Sequence, residues 1–246
     1  MFSNIQPFVC SNMDDFEEER LHLKMSTFPK IKLEYDKLNI NFDPIDIIWK
    51  ENTEYFKNGH LLRLLLHNVQ QASPFFICLV GQKYGPHIGN RDKNGSISLE
   101  ITSKLDSYIQ RNLLVSSQTG YSHIVNPNTY NNSFLEFQIN AALSNENNYP
   151  FYRFYYRQVE YLDEKYGHLS LDERRKMIAL FESENEFCAA KIKDLKMRIA
   201  KKGIIVKYYK TLEHLDKLIY EDYMDMLISE YQSFEYNYYD LFFLRN

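Results

Sequence analysis

Nowhere does the 246-residue chain hold the run of about 18 consecutive apolar residues that a bilayer-spanning helix needs. The opening MFSNIQPFVCSN has neither a charged leader nor a long apolar stretch, so no signal peptide is expected and the chain reads as cytoplasmic. Basic clusters are missing as well. Lys and Arg number 29 against 33 Asp and Glu, for a net charge of −4, and no segment concentrates the cations, which argues against nucleic acid as a partner. Cysteine is scarce: Cys10, Cys78 and Cys188 form no C-x-x-C pair, and two of them lie in strongly apolar strand candidates, so buried thiols are expected. His22, His60, His67 and His214 show no metal-ligand spacing, and no metal is expected. The phosphate-cradling G-x-x-x-x-G-K-[ST] loop, the G-x-S-x-G elbow and the H-E-x-x-H pair do not occur. The G-x-G-x-x-G turn of dinucleotide-binding sheets is absent after the first strand, where SNMDD stands instead. No cofactor is therefore expected.

What is present is a strand–helix alternation. FFICLVGQKYG (75–85) is an unbroken apolar run that stops at two glycines around a polar pair and a tyrosine. A strand apolar on both faces belongs at the centre of a sheet covered by helices on both sides. PFVC (7–10) is a first strand, and SNMDD after it supplies capping oxygens and negative charge for a helix N-terminus. That helix carries an apolar stripe at Leu21, Met25, Phe28, Ile31, Tyr35 and Leu38, and Pro29 should kink or split it. INFDPIDIIW predicts a second strand with Ile45, Ile47 and Trp49 on one face. Asp46, on the other face, is either a surface carboxylate or a buried partner for an arginine. HLLRLLLHNVQQA predicts a helix, YPFYRFYYR a fourth strand, ESENEFCAAKIKDLKMRIAKKG a helix ended by Gly203, IIVKYY a fifth strand and TLEHLDKLIYEDYMDMLISEY a closing helix.

Strands alternating with helices, with no hairpin between them, predict an α/β fold: a five-stranded parallel, flavodoxin-like sheet of order 2-1-3-4-5 with helices on both faces. A Gly-, Asn- and Ser-rich region at about 85–132 is then a long insertion after the third strand, with one helical stretch, SLEITSKLDSYIQ, inside it and a tolerant tip around Gly89 to Gly95. A single domain is expected over 1–233, with 234–246 as the start of a linker cut from something longer. In such sheets ligands sit beyond the carboxyl ends of the strands, which nominates Ser11, Asn12, Gly81, Lys83 and Tyr84 as ligand-binding candidates. Each has a plainer reading: Lys83 and Tyr84 as strand-end caps, Gly81 and Gly85 as turn formers. Glu136, in the first turn of the helix after the insertion, is the candidate acid. A glutamate there also complements the helix dipole with no further role.

Four stretches together resemble a TIR-like domain found at the N-terminus of NACHT and WD-repeat proteins, nephrocystin-3 and telomerase protein component one. VCSNMDDFEEERLHL is similar to that family's opening, FPKIKLEY followed by IDIIW to its F-P-x-L helix and D-L-R-W-G strand end, FFICLVGQKYG to its F-[IV]-G-L-L-G-x-[RK]-Y-G, and ESENEFCAAKIKDLKMRI to its late helix. The likeness covers about residues 7 to 230, and the G-x-[RK]-Y-G run is its most specific part. Two departures stand out: Ile48, Trp49 and Lys50 replace R-W-G, and Ser133, Phe134, Leu135 and Glu136 replace T-E-x-E. The resemblance implies a TIR-like fold and a signalling or scaffold role through self-association or protein partners, normally ahead of a NACHT-type NTPase. It also implies an alternative, a hydrolase cleaving NAD, with NAD as substrate, Glu136 as the catalytic acid and the backbone at Ser11, Asn12 and Gly81 lining the site.

Overall fold

The computed structural model describes residues 2–88, 104–124, 126 and 128–243. Its centre is a four-stranded parallel sheet of order β2-β4-β5-β6, built from β2 (Phe8–Cys10), β4 (Phe76–Val80), β5 (Tyr152–Arg157) and β6 (Ile205–Tyr209). β4 lies between β2 and β5, with Cys78 opposite Cys10 on one side and Phe154 on the other. Every β4 residue is buried, because alternate side chains enter two different cores. Phe76, Cys78 and Val80 face α4 (Leu61–Gln71), α6 (Phe134–Leu143) and α9 (Glu186–Lys201). Ile77 and Leu79 face the layer formed by α1 (Glu17–His22), α2 (Phe28–Asp36) and α10 (Leu212–Phe243). All three cysteines are buried free thiols.

The sheet departs from the five-strand expectation at its second member. The predicted second strand, INFDPIDIIW, is broken in two: its Asn41–Phe42 (β3) pairs in parallel with β1 (Asn4–Ile5) as a separate two-stranded sheet, and its later half contributes only a bridge from Ile45 to Phe8. Two causes are visible. Pro44 has no N–H for a ladder. Beyond it, the Arg20 guanidinium takes the Asp46 carboxylate and, at 3.0 Å, the Ile47 carbonyl, an acceptor that a neighbouring strand would otherwise use. Asp46 is thus the arginine's partner, the second of its two readings.

The first helix needs a correction as well. A π turn at Leu23–Thr27 joins α1 to α2, and Leu21 and Met25 of the expected inward stripe face solvent at 57% and 70% exposure. Arg20, Leu23 and Thr27 are buried in their place, while Phe28, Ile31 and Tyr35 keep theirs. A π turn takes one more residue per hydrogen bond and rotates the stripe. Pro29, at the start of α2, has no N–H to return to the Met25 carbonyl, which favours the wider turn.

Within the expected insertion, α5 (Lys104–Gln118) extends well past SLEITSKLDSYIQ, and its Ile109 and Leu113 join the core beside α4. The tip Gly89 to Gly95 lies outside the described residues. Two helices fall between β5 and α9 where none was expected: α7 (Val159–Lys165) and α8 (Leu171–Ala179), the latter opened by a Ser170–Glu173 capping box. α10 continues through residue 234 to Phe243 and is tied to the sheet by Asp222, which accepts from the Tyr155 hydroxyl at 2.7 Å and pairs with Lys207 at 3.0 Å and Arg153 at 3.4 Å. Among the described residues no helix is long and apolar enough to cross a membrane.

Truncating Ile77, fully buried between β2 and β5, should cost about 2–5 kcal/mol through lost transfer and cavity terms. Leu33→Ala, at a position 65% exposed, should stay within about 0.5 kcal/mol. Urea denaturation of the two variants reads the contrast directly.

Candidate functional site

The carboxyl ends of β2, β4 and β5 meet at one buried cluster of charge. Arg157, the last residue of β5, pairs through Nη2 with the Asp15 carboxylate, donates through Nη1 to the Asp15 carbonyl at 2.8 Å and binds Glu19 of α1 at 2.9 Å. Tyr209 donates its hydroxyl to the same Glu19 oxygen at 3.0 Å. The guanidinium lies over the Phe16 and Phe181 rings, 4.6 and 4.9 Å from their centroids, with Tyr161 of α7 at 5.5 Å. Asp15, Glu19 and Arg157 are all at least 95% buried. Asp15 presses against Gly81, where any Cβ would collide with Oδ2. Glycine at the end of β4 is therefore what admits the carboxylate.

Oδ1 of Asp15 has its guanidinium, but Oδ2 is buried without a hydrogen-bond partner. Burial consequently outweighs the pull of Arg157, and the Asp15 pKa is raised to about 6. For Arg157, burial works against the charge, yet Asp15 and Glu19 more than offset it and hold its pKa above the ordinary value.

The ligand-binding candidates fall around this cluster, most of them already engaged. Ser11 accepts from Arg20 Nη1 at 3.0 Å. Asn12 is buried with its amide beside Gly85, whose φ of +87° suits glycine, since a Cβ there would approach the amide to 3.2 Å. Gly81 donates no side chain, but its carbonyl accepts from Lys196 at 2.9 Å. Lys83 is half-buried in a cleft of about 260 Å³ whose acids are Asp14, Glu51, Asp106 and Glu184. The Tyr84 and Gly85 N–H groups donate to the two carboxylate oxygens of Glu184, at 3.1 and 2.8 Å, so the tail of the α7–α8 excursion clasps the G-Q-K-Y-G turn.

Glu136 is not an open acid at a crevice. Its carboxylate accepts from the Tyr84 hydroxyl and pairs with Arg198 through one oxygen and with Lys191, at 3.1 Å, through the other. It is 2% exposed, and its own N–H caps onto Ser133 Oγ at 3.2 Å. Burial, and then the neighbouring Glu136 charge, raise the Tyr84 pKa, which keeps that hydroxyl protonated as a donor. Glu136 thereby ties the first turn of α6 to α9 and to the G-Q-K-Y-G turn.

One nucleophile–base pairing went unanticipated: Cys188 Sγ lies 3.9 Å from His87 Nε2, whose Nδ1 is 2.9 Å from the Gly85 carbonyl. The thiol is fully buried and pushed up to about 12 by burial and by Glu184, so it stays protonated and unreactive. Among the described residues no group of His, Cys, Asp and Glu could hold a metal ion. Asp15, Glu19, Arg157, Glu184, Lys191 and Arg198 were not singled out from sequence. The available signal was an arginine closing a strand whose other residues are aromatic except Arg153, a charge that must find partners inside.

Arg157→Met should strand two buried carboxylates and cost about 3–5 kcal/mol at neutral pH. The loss should shrink in acid as Asp15 protonates. In the wild-type chain Asp15 binds its proton more tightly folded than unfolded. Its contribution is therefore fully present below the ordinary value of 3.8 and lost as pH rises through about 6. Denaturation of Asp15→Asn across that window should show a flatter stability profile than wild type.

No family model matches the chain, and no solved structure matches it significantly. Its similarity is to curated proteins named tetratricopeptide repeat protein 41: 28% identity over 239 residues with that of Rattus norvegicus and 28% over 231 with that of Mus musculus. The Homo sapiens protein of that description is 30% identical over 235 residues. Each match covers 89% of this chain and 17% of the relative, so the chain spans about a sixth of the length of the curated relatives it matches.

Proposed function

We propose that the chain is a cytoplasmic protein-association module of TIR-like type, acting as a scaffold within larger assemblies. The observation that carries this reading is the outer side of the α1–α2 segment. Leu21, Met25 and Leu33 stand 57%, 70% and 65% exposed along one continuous helical stretch, three large apolar side chains turned to solvent within 13 residues. The acids at the carboxyl edge point the same way: Glu136, Asp15 and Glu19 are held by the chain's own cations, which suits a rigid module. In this reading the β1–β3 pair and the Phe8–Ile45 bridge stand for the second strand of a 2-1-3-4-5 sheet. The relatives' name refers to tetratricopeptide repeats, units that stack into extended binding surfaces, a setting in which an association module fits.

A second reading, NAD cleavage with Glu136 as the catalytic acid, draws on one feature. Ser11, Asn12, Gly81, Lys83 and Tyr84 do lie around one strand-end region, and Tyr84 touches Glu136. That reading requires Glu136 to exchange Lys191 and Arg198 for ribose hydroxyls.

Proximity biotinylation in cells separates the two when wild-type protein is compared with Leu21→Glu/Met25→Glu/Leu33→Glu. The expected result is loss of specific labelled neighbours in the triple variant, with unchanged melting of the purified chain. An identical labelling profile would overturn the association surface. Purified wild-type protein should not turn over NAD, and turnover abolished by Glu136→Gln would establish the hydrolase instead.

A further inference from the structure

The other half of the carboxyl edge is open. From the carboxyl end of β5 along β6 as far as Val206, a cleft of about 710 Å³ lies between the sheet and α9, within the size range of small-molecule sites and reaching at one end the strand ends where open α/β folds bind ligands. Its floor is Tyr156 and Val206, its walls Met197 and Tyr208, and two lysines one turn apart on α9, Lys193 and Lys196, reach it. Val159, Met197 and Tyr208 are 58%, 47% and 56% exposed there, a concentration of bare apolar surface at one concave place.

Two features go beyond an uncovered sheet face. Neither lysine forms an ion pair within 4.0 Å among the described residues, and Lys196 Nζ donates to the neutral Gly81 carbonyl at 2.9 Å and lies 5.1 Å from the Tyr156 ring centroid, with Asp15, already paired to Arg157, as the acid whose charge reaches it. Arg157 also borders the cleft, but its charge is spent on Asp15 and Glu19, and the one acid of the lining is Glu160, against two lysines. Tyr156, 4% exposed, carries a buried hydroxyl with no hydrogen-bond partner. A buried hydroxyl without a partner beside two lysines that have no ion pair of their own calls for an acceptor, and a bound ligand can supply one.

We propose that this cleft binds a small organic anion. Its acidic group is held by Lys193 and Lys196, and its flat apolar body lies over Val206 between Tyr208 and Met197. The acidic group and body are required together. An anion alone forfeits the apolar walls, and a neutral ring leaves the lysines unpaired. Burial pulls the Lys196 pKa below its ordinary value, and an arriving anion would relieve that penalty. The site is separate from Glu136 and from the α1–α2 row, so its fate does not depend on the reading given above.

Fluorescence titration with 8-anilinonaphthalene-1-sulfonate, which joins flat rings to an anion, tests it against N-phenyl-1-naphthylamine, the same rings without charge, and inorganic sulfate, charge without rings. One sulfonate should bind per chain. Lys193→Met/Lys196→Met should weaken it at least about tenfold, the loss of two charge-assisted contacts, with the neutral amine little changed. Sulfate alone should bind far more weakly, and Val206→Trp, which fills the floor, should abolish binding of both ring probes. Lys193→Met on its own, at an exposed position, keeps the test valid if the Lys196 change disturbs the fold. No saturable binding to wild type, or equal sulfonate affinity in wild type and both lysine variants, would overturn the proposal.

Discussion

A guanidinium buried at the end of β5 dictates much of what surrounds it. Taking one charge out of water costs several kcal/mol unless its hydrogen bonds are met, so Arg157 needs acceptors from whatever packs nearby. The turn after β2 brings Asp15, α1 brings Glu19, and Phe16, Tyr161 and Phe181 close over the guanidinium plane. Each partner fixes something else. Asp15 requires glycine at position 81; Glu19 sets the angle of α1 and engages Tyr209 of β6; Phe181 holds the α7–α8 excursion against the edge. The sheet's carboxyl end is thus assembled around one cation from β5.

Asp222 follows the same logic with reversed sign. It is a buried anion on α10, to which Tyr155 donates and with which Arg153 and Lys207 of the sheet form ion pairs. Glu136 is a third case, with Tyr84, Lys191 and Arg198 converging on it. Hydrophobic packing alone tolerates sliding of a helix over a sheet. A buried charge does not, because a small displacement leaves it unpaired at a cost comparable to a large part of a domain's net stability. These contacts pin α1, α10 and α6 in register.

What was legible in the sequence was the part governed by local periodicity. The apolar run Phe75 to Val80 announced a central strand, and the helices of the two cores follow their stripes. The misreadings have non-local causes. Leu21 and Met25 belonged to a stripe on any regular helix, and only the π turn ahead of Pro29 turned them outward. Ile45 to Trp49 reads as a strand until Arg20, 26 residues before Asp46 from it, takes the local acceptors. Glu136 was correctly placed in a first helical turn, but sequence spacing could not show that Lys191 and Arg198 would arrive from α9. Arg157 was visible only as the residue that ends a strand, since ion-pair partners 138 and 142 positions away leave no trace in a window.

The carboxyl edge divides at Gly81. On the β2 side the chain's own side chains take up much of the edge, with Asp15 against the glycine and Glu184 on the Tyr84 and Gly85 N–H groups, and leave the smaller, mostly acidic cleft at Lys83. On the β6 side the filling stops, because α9 turns its buried stripe, Cys188, Ile192, Leu195 and Ile199, toward the core of α4 and α6. Its Lys193 and Lys196 are left at the cleft that separates α9 from the edge strand β6. Lys196 marks the boundary: its ammonium caps the Gly81 carbonyl from one side and opens into the cleft on the other. A module that has closed one half of its edge with internal ion pairs, yet leaves cations unpaired over bare aromatic surface on the other, keeps its capacity for a ligand on the β6 side.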